Sequence, residues 1–560
     1  MGLLGYASHH RSSRAATAGL AAVALVTSLS LGPAASPPAS GAASSGRTAT
    51  HHGVSRLPLG PIGLPETRTT TALGRGVTWT HIERGAISPD VRWVVELSIP
   101  SSGSSPDPDA PPRSVQDRAA ADALVARLAA AGVAARSQPV AQPATADVPA
   151  GVIGYRVRLA ETYATKAEAD ARVATLGGQG FTSRSWYAGW DGGNRAAGHW
   201  SLEVLTIDPH RFRGDLRATY GPDIETRETT SALAAYEHAT AAVNGGFFVL
   251  DPAAGAEGDP AGAGVYDGRL ASEPVGRRPV LVLRDSARST QITRPVWRGT
   301  VRLAGGTAVL DGLDRVPGLI RNCGGIGDSP TDHPLHDTTC TDAGELVAFD
   351  TQFGVRTPGG PGREVVTDRH GRVVAIADAR GTELKPGQRS VQATGDRVPE
   401  LAALVVGDRL HLRTHLYSGR GRRLDRPGVS VVNGGPLLLA RGRERITQAA
   451  DGMVHPGDPS FAYGWVLQRN PRTFAGVDRQ GRTVLVTVDG RQLDQDGLSI
   501  PETADVARAL GLVDAINLDG GGSTAAVVDG SVVSHPSDAT GERPVGDAIV
   551  IRPRATAARR

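Results

Sequence analysis

Between residues 93 and 190 the chain alternates short apolar runs with amphipathic stretches. WVVELSI (93–99) predicts a strand, and a Ser/Pro/Asp loop follows it. DRAAADALVARLAAAG (117–132) predicts a helix with Leu124, Val125 and Leu128 on one face. VAARSQPV (133–140) and YRVRLAETY (155–163) predict two further strands. TKAEADARVATLGGQG predicts a second helix: Thr165 and Glu168 have capping-box spacing, and Ala169, Val173 and Leu176 form an apolar stripe. FTSRSWYA (181–188) predicts the closing strand. The order is β-α-β-β-α-β in about a hundred residues, a split-βαβ (ferredoxin-like) module.

From about His199 the pattern changes. Strands separated by turn dipeptides dominate, as in VYDGRL, VVDGSVV and VDRQGRTVLVTVDGR. Only two helices are legible there. One spans about Thr229–Thr240. The other is SIPETADVARALG, with Ser499 and Glu502 as a capping box and Gly511 as the stop. The fold class is therefore α+β: a large strand-rich domain over 199–553 and a small module over 91–190.

The first 35 residues read differently. Arg11 and Arg14 precede an apolar, small-residue run from about Ala15 to Leu31, followed by Pro33, Pro37 and Pro38. This is the pattern of a secretory signal rather than of a buried helix, so a secreted or cell-wall-associated protein is expected. Residues 36–72 are rich in Ala, Ser, Pro, Gly and Thr and predict a disordered linker; 554–560 form a basic tail. No later segment is apolar for long enough to span a membrane. The net charge is only +3, and Lys166 and Lys385 are the only lysines, so nothing marks a nucleic-acid partner. Cys323 and Cys340 are the only cysteines; in an exported chain they predict one disulfide rather than two free thiols, and their spacing fits no zinc site.

Four segments of the large domain interrupt strand logic. AAVNGGFFVLDP places Asn244-Gly245-Gly246 at a strand end, and SVVNGGPLLLARGR repeats the device with Asn433, Gly434 and Gly435. Asn-Gly is a hairpin signal, but an asparagine amide at a strand end also offers donors to a ligand. In RNPRTFAGVDRQGRTVLVTVDGR, Arg472 and Thr473 precede a hairpin ending at Asp489. Arginine's fork suits phosphate, although a structural ion pair is the plainer reading; Asp489 reads equally as a turn residue. In INLDGGGST, Asp519 is followed by Gly520, Gly521 and Gly522, then Ser523 and Thr524. Three glycines between apolar runs imply that something approaches the backbone closely. Their amides could form an anion nest, beside which Asp519 would be costly unless it has proton or metal work to do.

Asn-Gly-Gly-Phe-Phe, Gly-Gly-Pro-Leu-Leu, Asn-Pro-Arg-Thr, Val-Asp-Gly-Arg and Asn-Leu-Asp-Gly-Gly-Gly-Ser-Thr occur in that order. As a set they resemble the phosphodiester glycosidase family, and HPSDATGERPVGDAIVI resembles its closing segment, with Asp547 where asparagine is expected. The resemblance covers about 199–553, with LGRGVTWTHIERGA inside 73–90 as the first strand of the catalytic domain. Residues 91–190 resemble the SPOR domain, whose members bind peptidoglycan glycan strands.

The resemblance implies a hydrolase of sugar-1-phosphodiesters, of the N-acetylglucosamine-1-phosphodiester type, in envelope phosphoglycans. Arg472 and the Gly520–Gly522 amides would hold the anion. Asp519, then Asp489, would be the acid/base carboxylate. Asn244 and Thr473 would hold sugar hydroxyls or phosphate oxygens, and Ser523, Thr524, Asn433, Gly434 and Gly435 would line the substrate site. No cofactor is assigned; a divalent cation such as calcium beside Asp350, Asp496 or Asp519 stays open, with no ligand spacing to support it. Two other readings compete: a non-catalytic binder of peptidoglycan or other wall glycan, and a hydrolase of neutral wall glycans.

Overall fold

The computed structural model describes residues 56–100, 113–193, 196, 198–303, 305–323 and 334–553. The signal segment, most of the linker and the basic tail lie outside the described residues. At the linker's C-terminal end the expectation needs correcting. Leu57 and Leu59 are buried in the main core, and Glu66–Gly74 is a strand paired with Val77–Gly85. The Thr-rich composition of 66–72 reflects an edge strand with exposed β-branched positions, not a flexible chain.

An eight-stranded sheet is the backbone of the large domain. Its order runs Glu66–Gly74, Val77–Gly85, His199–Ile207, Thr483–Val488, Arg472–Asp478, Leu512–Asn517, Leu437–Ala440, Arg443–Glu444. Strand alternation splits its side chains between two cores. Trp200, Leu202, Val204, Phe474, Val484 and Val486 face the helix Ile500–Ala509. Leu205, Ile207, Ala475, Leu485 and Ile516 face a five-stranded sheet carrying Ala241–Asn244 and Ala548–Pro553. The domain is thus layered helix, sheet, sheet. The helix carries the Ser499/Glu502 capping box and Pro501 in its first turn. The expected helix at 229–240 is shorter, Thr230–Tyr236, because His238 turns with φ 51° to enter the strand Ala241–Asn244.

The chain leaves the main sheet after Gly85 and returns at His199. Between them, antiparallel pairing sets the order Ala135–Gln142, Gly151–Leu159, Trp93–Leu97, Ser183–Tyr187, with the short strand Val115–Gln116 also on Gly151–Leu159. Helices Arg118–Ala130 and Lys166–Gly178 pack Leu124, Leu128 and Leu176 onto one face of this sheet. This is the split-βαβ topology. Its second helix keeps the Thr165/Glu168 capping box.

Three strands of the large domain end in asparagine: Ala241–Asn244, Val429–Asn433 and Leu512–Asn517. The three ends converge, and the candidate site is built on them.

Candidate active site

The two Asn-Gly-Gly elements and the glycine turn form one interlocked scaffold. Asn433 clasps Phe247 from both sides, accepting from its N–H at 3.0 Å and donating to its carbonyl at 3.0 Å. Gly246 must be glycine because a Cβ there would lie 2.8 Å from the Asn433 amide nitrogen. Gly245 meets Asp547 in the same way, at 2.3 Å. Asp547 accepts from the Gly246 N–H at 2.7 Å and from the Tyr266 hydroxyl at 2.9 Å. Gly434 packs on the Asn517 carbonyl, and the Gly435 N–H donates to it at 2.8 Å. Asn244 reaches the glycine turn itself: its amide donates to the Asp519 carbonyl at 2.9 Å. Its oxygen accepts from the Thr473 hydroxyl at 2.5 Å and from the Ala525 N–H at 3.2 Å.

What approaches the three glycines is the protein itself. A Cβ on Gly520 would lie 2.9 Å from the Pro471 carbonyl, one on Gly521 (φ +61°) 3.3 Å from the Arg491 guanidinium, and one on Gly522 2.3 Å from Asp538. Arg543 also presses on Gly522, held there by Asp538 at 2.7 Å. The turn is bare so that two arginines can lie against it.

A cavity of about 320 Å³ opens over this turn. Asp519, the three glycines and Ser523 line it, together with Phe247, Trp465, Asn470, His336 and Asp337. Five arginines line it, Arg184, Arg321, Arg472, Arg491 and Arg543; Arg184, Arg321 and Arg543 are paired with Glu96, Asp337 and Asp538, which leaves five cations against four carboxylates once Asp519 is counted. That balance fits an anionic occupant. A larger cavity of about 480 Å³ shares Arg321 but contains none of the residues singled out from the sequence.

Asp519 keeps an accessible edge toward the cavity yet is surrounded by protein. Burial pushes its carboxyl up to about 7, against the opposing pull of the Ser523 hydroxyl bond, Arg543 and the Gly520 N–H. A carboxyl poised there can exchange protons near neutral pH. Arg472 is buried, 2% exposed, with no carboxylate at ion-pair distance among the described residues. Its guanidinium donates to the carbonyls of Leu498 at 2.9 Å and Trp465 at 2.6 Å and stacks 5.2 Å from the Trp465 ring. Burial, with Arg491 adding repulsion, pushes it down to about 9, so it stays charged at neutral pH. His336 is held neutral by burial and by Arg278 and Arg321. Its ring packs 4.3 Å from Phe247 and 4.7 Å from Trp465.

Several residues expected at the substrate lie elsewhere. Asn244, Thr473, Asn433, Gly434 and Gly435 stand behind the cavity, where their hydrogen bonds or close packing hold the scaffold. Thr524 is buried behind the turn. Asp489 is outside the cavity and is committed to His535, accepting from its N–H at 3.0 Å with Nδ1 at 2.8 Å. The anion nest is also corrected. The Gly520 N–H donates to the Asp519 carboxylate at 2.9 Å and the Gly521 N–H to the Pro471 carbonyl at 3.0 Å. Gly522 is the remaining amide of the three. Asp350 lies near Arg269 at 3.4 Å and Asp496 near Arg469 at 3.6 Å. Among the described residues no three His, Cys, Asp or Glu side chains are grouped to hold a metal ion.

Sequence reasoning missed His336, Asp337, Arg321, Arg491, Arg543 and Trp465. A signal existed for the first two. Cys323 and Cys340 do form the disulfide, and the loop they close presents His336 and Asp337 to the cavity. The double substitution Cys323→Ser/Cys340→Ser is expected to cost roughly 3 kcal/mol of stability. It should also lower kcat/KM, since the loop would no longer be tied at both ends. Chemical denaturation and kinetics check both; a destabilised variant with full kcat/KM would show that the loop does not need its staple for the chemistry. Asn244→Ala is expected to cost about 2–4 kcal/mol by orphaning buried groups around the turn. Its kcat should fall with it. A cost under about 0.5 kcal/mol would mean the turn holds itself.

Residues 362–552 match the phosphodiester glycosidase family. N-acetylglucosamine-1-phosphodiester alpha-N-acetylglucosaminidase of Mus musculus is 48% identical over 114 residues, and that of Homo sapiens 46% over 116. Each match covers 20% of this chain and 22% of the relative, so the chain spans about a fifth of the length of these curated relatives. A solved structure from Burkholderia pseudomallei K96243, of a protein whose name calls it exported, superposes with a TM-score of 0.78 at 34% identity. That alignment covers 89% of this chain and 98% of the other.

Proposed function

We propose that this chain, an enzyme carrying a phosphodiester glycosidase domain, hydrolyses sugar-1-phosphodiesters outside the cell, releasing the free sugar and a phosphomonoester. The observation that carries the reading is Asp519: a carboxyl raised to about 7 in a cavity lined by five arginines. A phosphodiester is an anion, and Arg472 is a buried cation with no carboxylate at ion-pair distance among the described residues. Water attacks the anomeric carbon while the bond from that carbon to the phosphate oxygen breaks. The electron pair leaves with the phosphate, which the Arg472 and Arg491 guanidiniums and the Gly522 N–H stabilise. Asp519 accepts the proton of the attacking water, its carboxylate oriented by Ser523 and Gly520. Asp337, which also lines the cavity and is paired with Arg321 at 2.9 Å, stabilises the positive charge that develops at the anomeric carbon. Phosphate is a good leaving group, so no strong general acid is needed. Trp465 and Phe247 offer apolar faces to the sugar ring.

The curated relatives point to N-acetylglucosamine as the first sugar to test, and envelope phosphoglycans are the setting in which an exported enzyme would meet it. The resemblance of residues 91–190 to SPOR modules adds peptidoglycan strands as a partner in this reading. The test is a paired assay with purified protein. Sugar release from methyl-phospho-N-acetylglucosamine should exceed that from the neutral nitrophenyl N-acetylglucosaminide by at least about a hundredfold, because the arginines act only on a charged group. Equal rates would favour a hydrolase of neutral glycans, and no release with retained wall binding would favour a non-catalytic binder.

A further inference from the structure

The 91–190 module does not hang from the large domain on linkers. The Ser460 hydroxyl bonds both backbone groups of Val115, at 2.8 and 3.0 Å. The Arg469 N–H donates to the Trp190 carbonyl at 2.8 Å, and the Ala146 N–H to the Ile446 carbonyl at 2.9 Å. The Tyr463 hydroxyl donates to the module's Glu96 at 2.9 Å and accepts from its Arg156 at 2.9 Å. The partner segment, 460–470, also carries Trp465, Gln468 and Asn470 of the cavity. The module is therefore fixed to the segment that shapes the site.

It also reaches into the site. Arg184 and Trp186, on its strand Ser183–Tyr187, line the cavity and lie outside the 362–552 region that matches the family. Arg184 is braced: its guanidinium lies 4.3 Å over the Trp186 ring and donates to Glu96 at 2.6 Å. Trp186 is itself pinned by a 2.9 Å bond to Asp191. The local charge does not balance. Among the described residues Arg156, Arg158 and Arg184 share Glu96 and Asp191, three cations against two anions, leaving one positive charge. Glu96 is fully buried and shared between Arg158 at 2.8 Å and Arg184 at 2.6 Å, and Arg184, with a quarter of its side chain exposed, is the most accessible of the three arginines. Of the three arginines, Arg184 is the one that lines the cavity, so the surplus charge of the cluster is open to an occupant there. A braced guanidinium with spare charge is built to meet an anion.

We propose that Arg184 is a specificity-determining residue: it takes a second phosphate of the substrate, on the alcohol side of the scissile phosphodiester. The preferred substrates are then sugar diphosphate esters or chains of repeated phosphodiesters, rather than a single phosphodiester to a neutral alcohol. The inference rests on the hydrolase reading for the first phosphate and on Arg184 for the second.

Two measurements on the full chain test it. In kinetics, wild type should favour UDP-N-acetylglucosamine over methyl-phospho-N-acetylglucosamine in kcat/KM, mainly through KM, and Arg184→Ala should shrink that ratio by roughly tenfold or more. Arg184→Lys should restore part of it, which a merely structural role would not predict. In calorimetry, inorganic pyrophosphate and tripolyphosphate should bind wild type more tightly than orthophosphate, and Arg184→Ala should lose that preference. If neither ester is hydrolysed but the Arg184-dependent preference for linked phosphates persists, the hydrolase reading fails and the inference stands. If Arg184→Ala, with a wild-type unfolding midpoint, keeps both preferences, or if wild type has neither, the inference is overturned.

Discussion

Asp519→Asn is expected to cut turnover roughly a thousandfold or more while making the protein more stable above neutral pH. The two effects have one cause. Burial lifts the Asp519 carboxyl to about 7 from an unfolded value near 3.8. Because the folded pKa is the higher one, the stability this group contributes is fully present below pH 4 and is lost as pH rises through about 7. At pH 8 the wild type holds an ionised carboxylate in a site that disfavours it. Asparagine removes that charge and keeps an oxygen for the Gly520 N–H, so a gain of roughly 1–2 kcal/mol is expected, discounted for the solvent that the cavity admits. At pH 4 the gain should vanish. In the proposed mechanism the same group sets the rate. As a base, Asp519 must be ionised, so wild-type kcat/KM should rise with pH and level off above about 7. Unfolding midpoints at the two pH values and a pH–rate profile check the set. A variant that loses activity but gains no stability at pH 8 would mean that the carboxyl is not strained.

Arg472→Ala should reduce kcat/KM by roughly a hundredfold to a thousandfold. The buried guanidinium is held by backbone carbonyls and stacked on Trp465, so its position is fixed before substrate arrives. In the proposed reaction its counter-ion is the substrate's phosphate. Orthophosphate should therefore raise the unfolding temperature of wild type and leave that of Arg472→Ala unmoved. Arg472→Lys should recover little, because an ammonium lacks the planar fork that spans the two carbonyls and stacks on Trp465. Equal stabilisation of wild type and variant by phosphate would place the anion on other arginines.

The sequence was most legible where one local pattern carries the physics. The capping boxes at Thr165/Glu168 and Ser499/Glu502 are self-contained, and both are present. Two cysteines leave little choice of pairing, and the bond exists. The glycine run after Asp519 announced a close approach but could not name the visitor; Arg491 and Arg543 come from turns that look like ordinary hairpin and loop residues. Asn244, Asn433 and Thr473 were read as ligand contacts because a polar tip at a strand end looks the same whether it meets a substrate or another strand. Here three such tips meet each other. Arg184 and Trp186 were the least accessible, since they belong to a module with its own core and only its packing on 460–470 brings them to the cavity.

The central claim is that the bond broken is the one between the anomeric carbon and the phosphate oxygen. It is tested most directly by running the hydrolysis of a sugar-1-phosphodiester in water labelled with heavy oxygen. The account predicts label in the released sugar and none in the phosphomonoester, with the signal absent for Asp519→Asn. Label in the phosphate would contradict it, making the protein a phosphodiesterase acting at phosphorus.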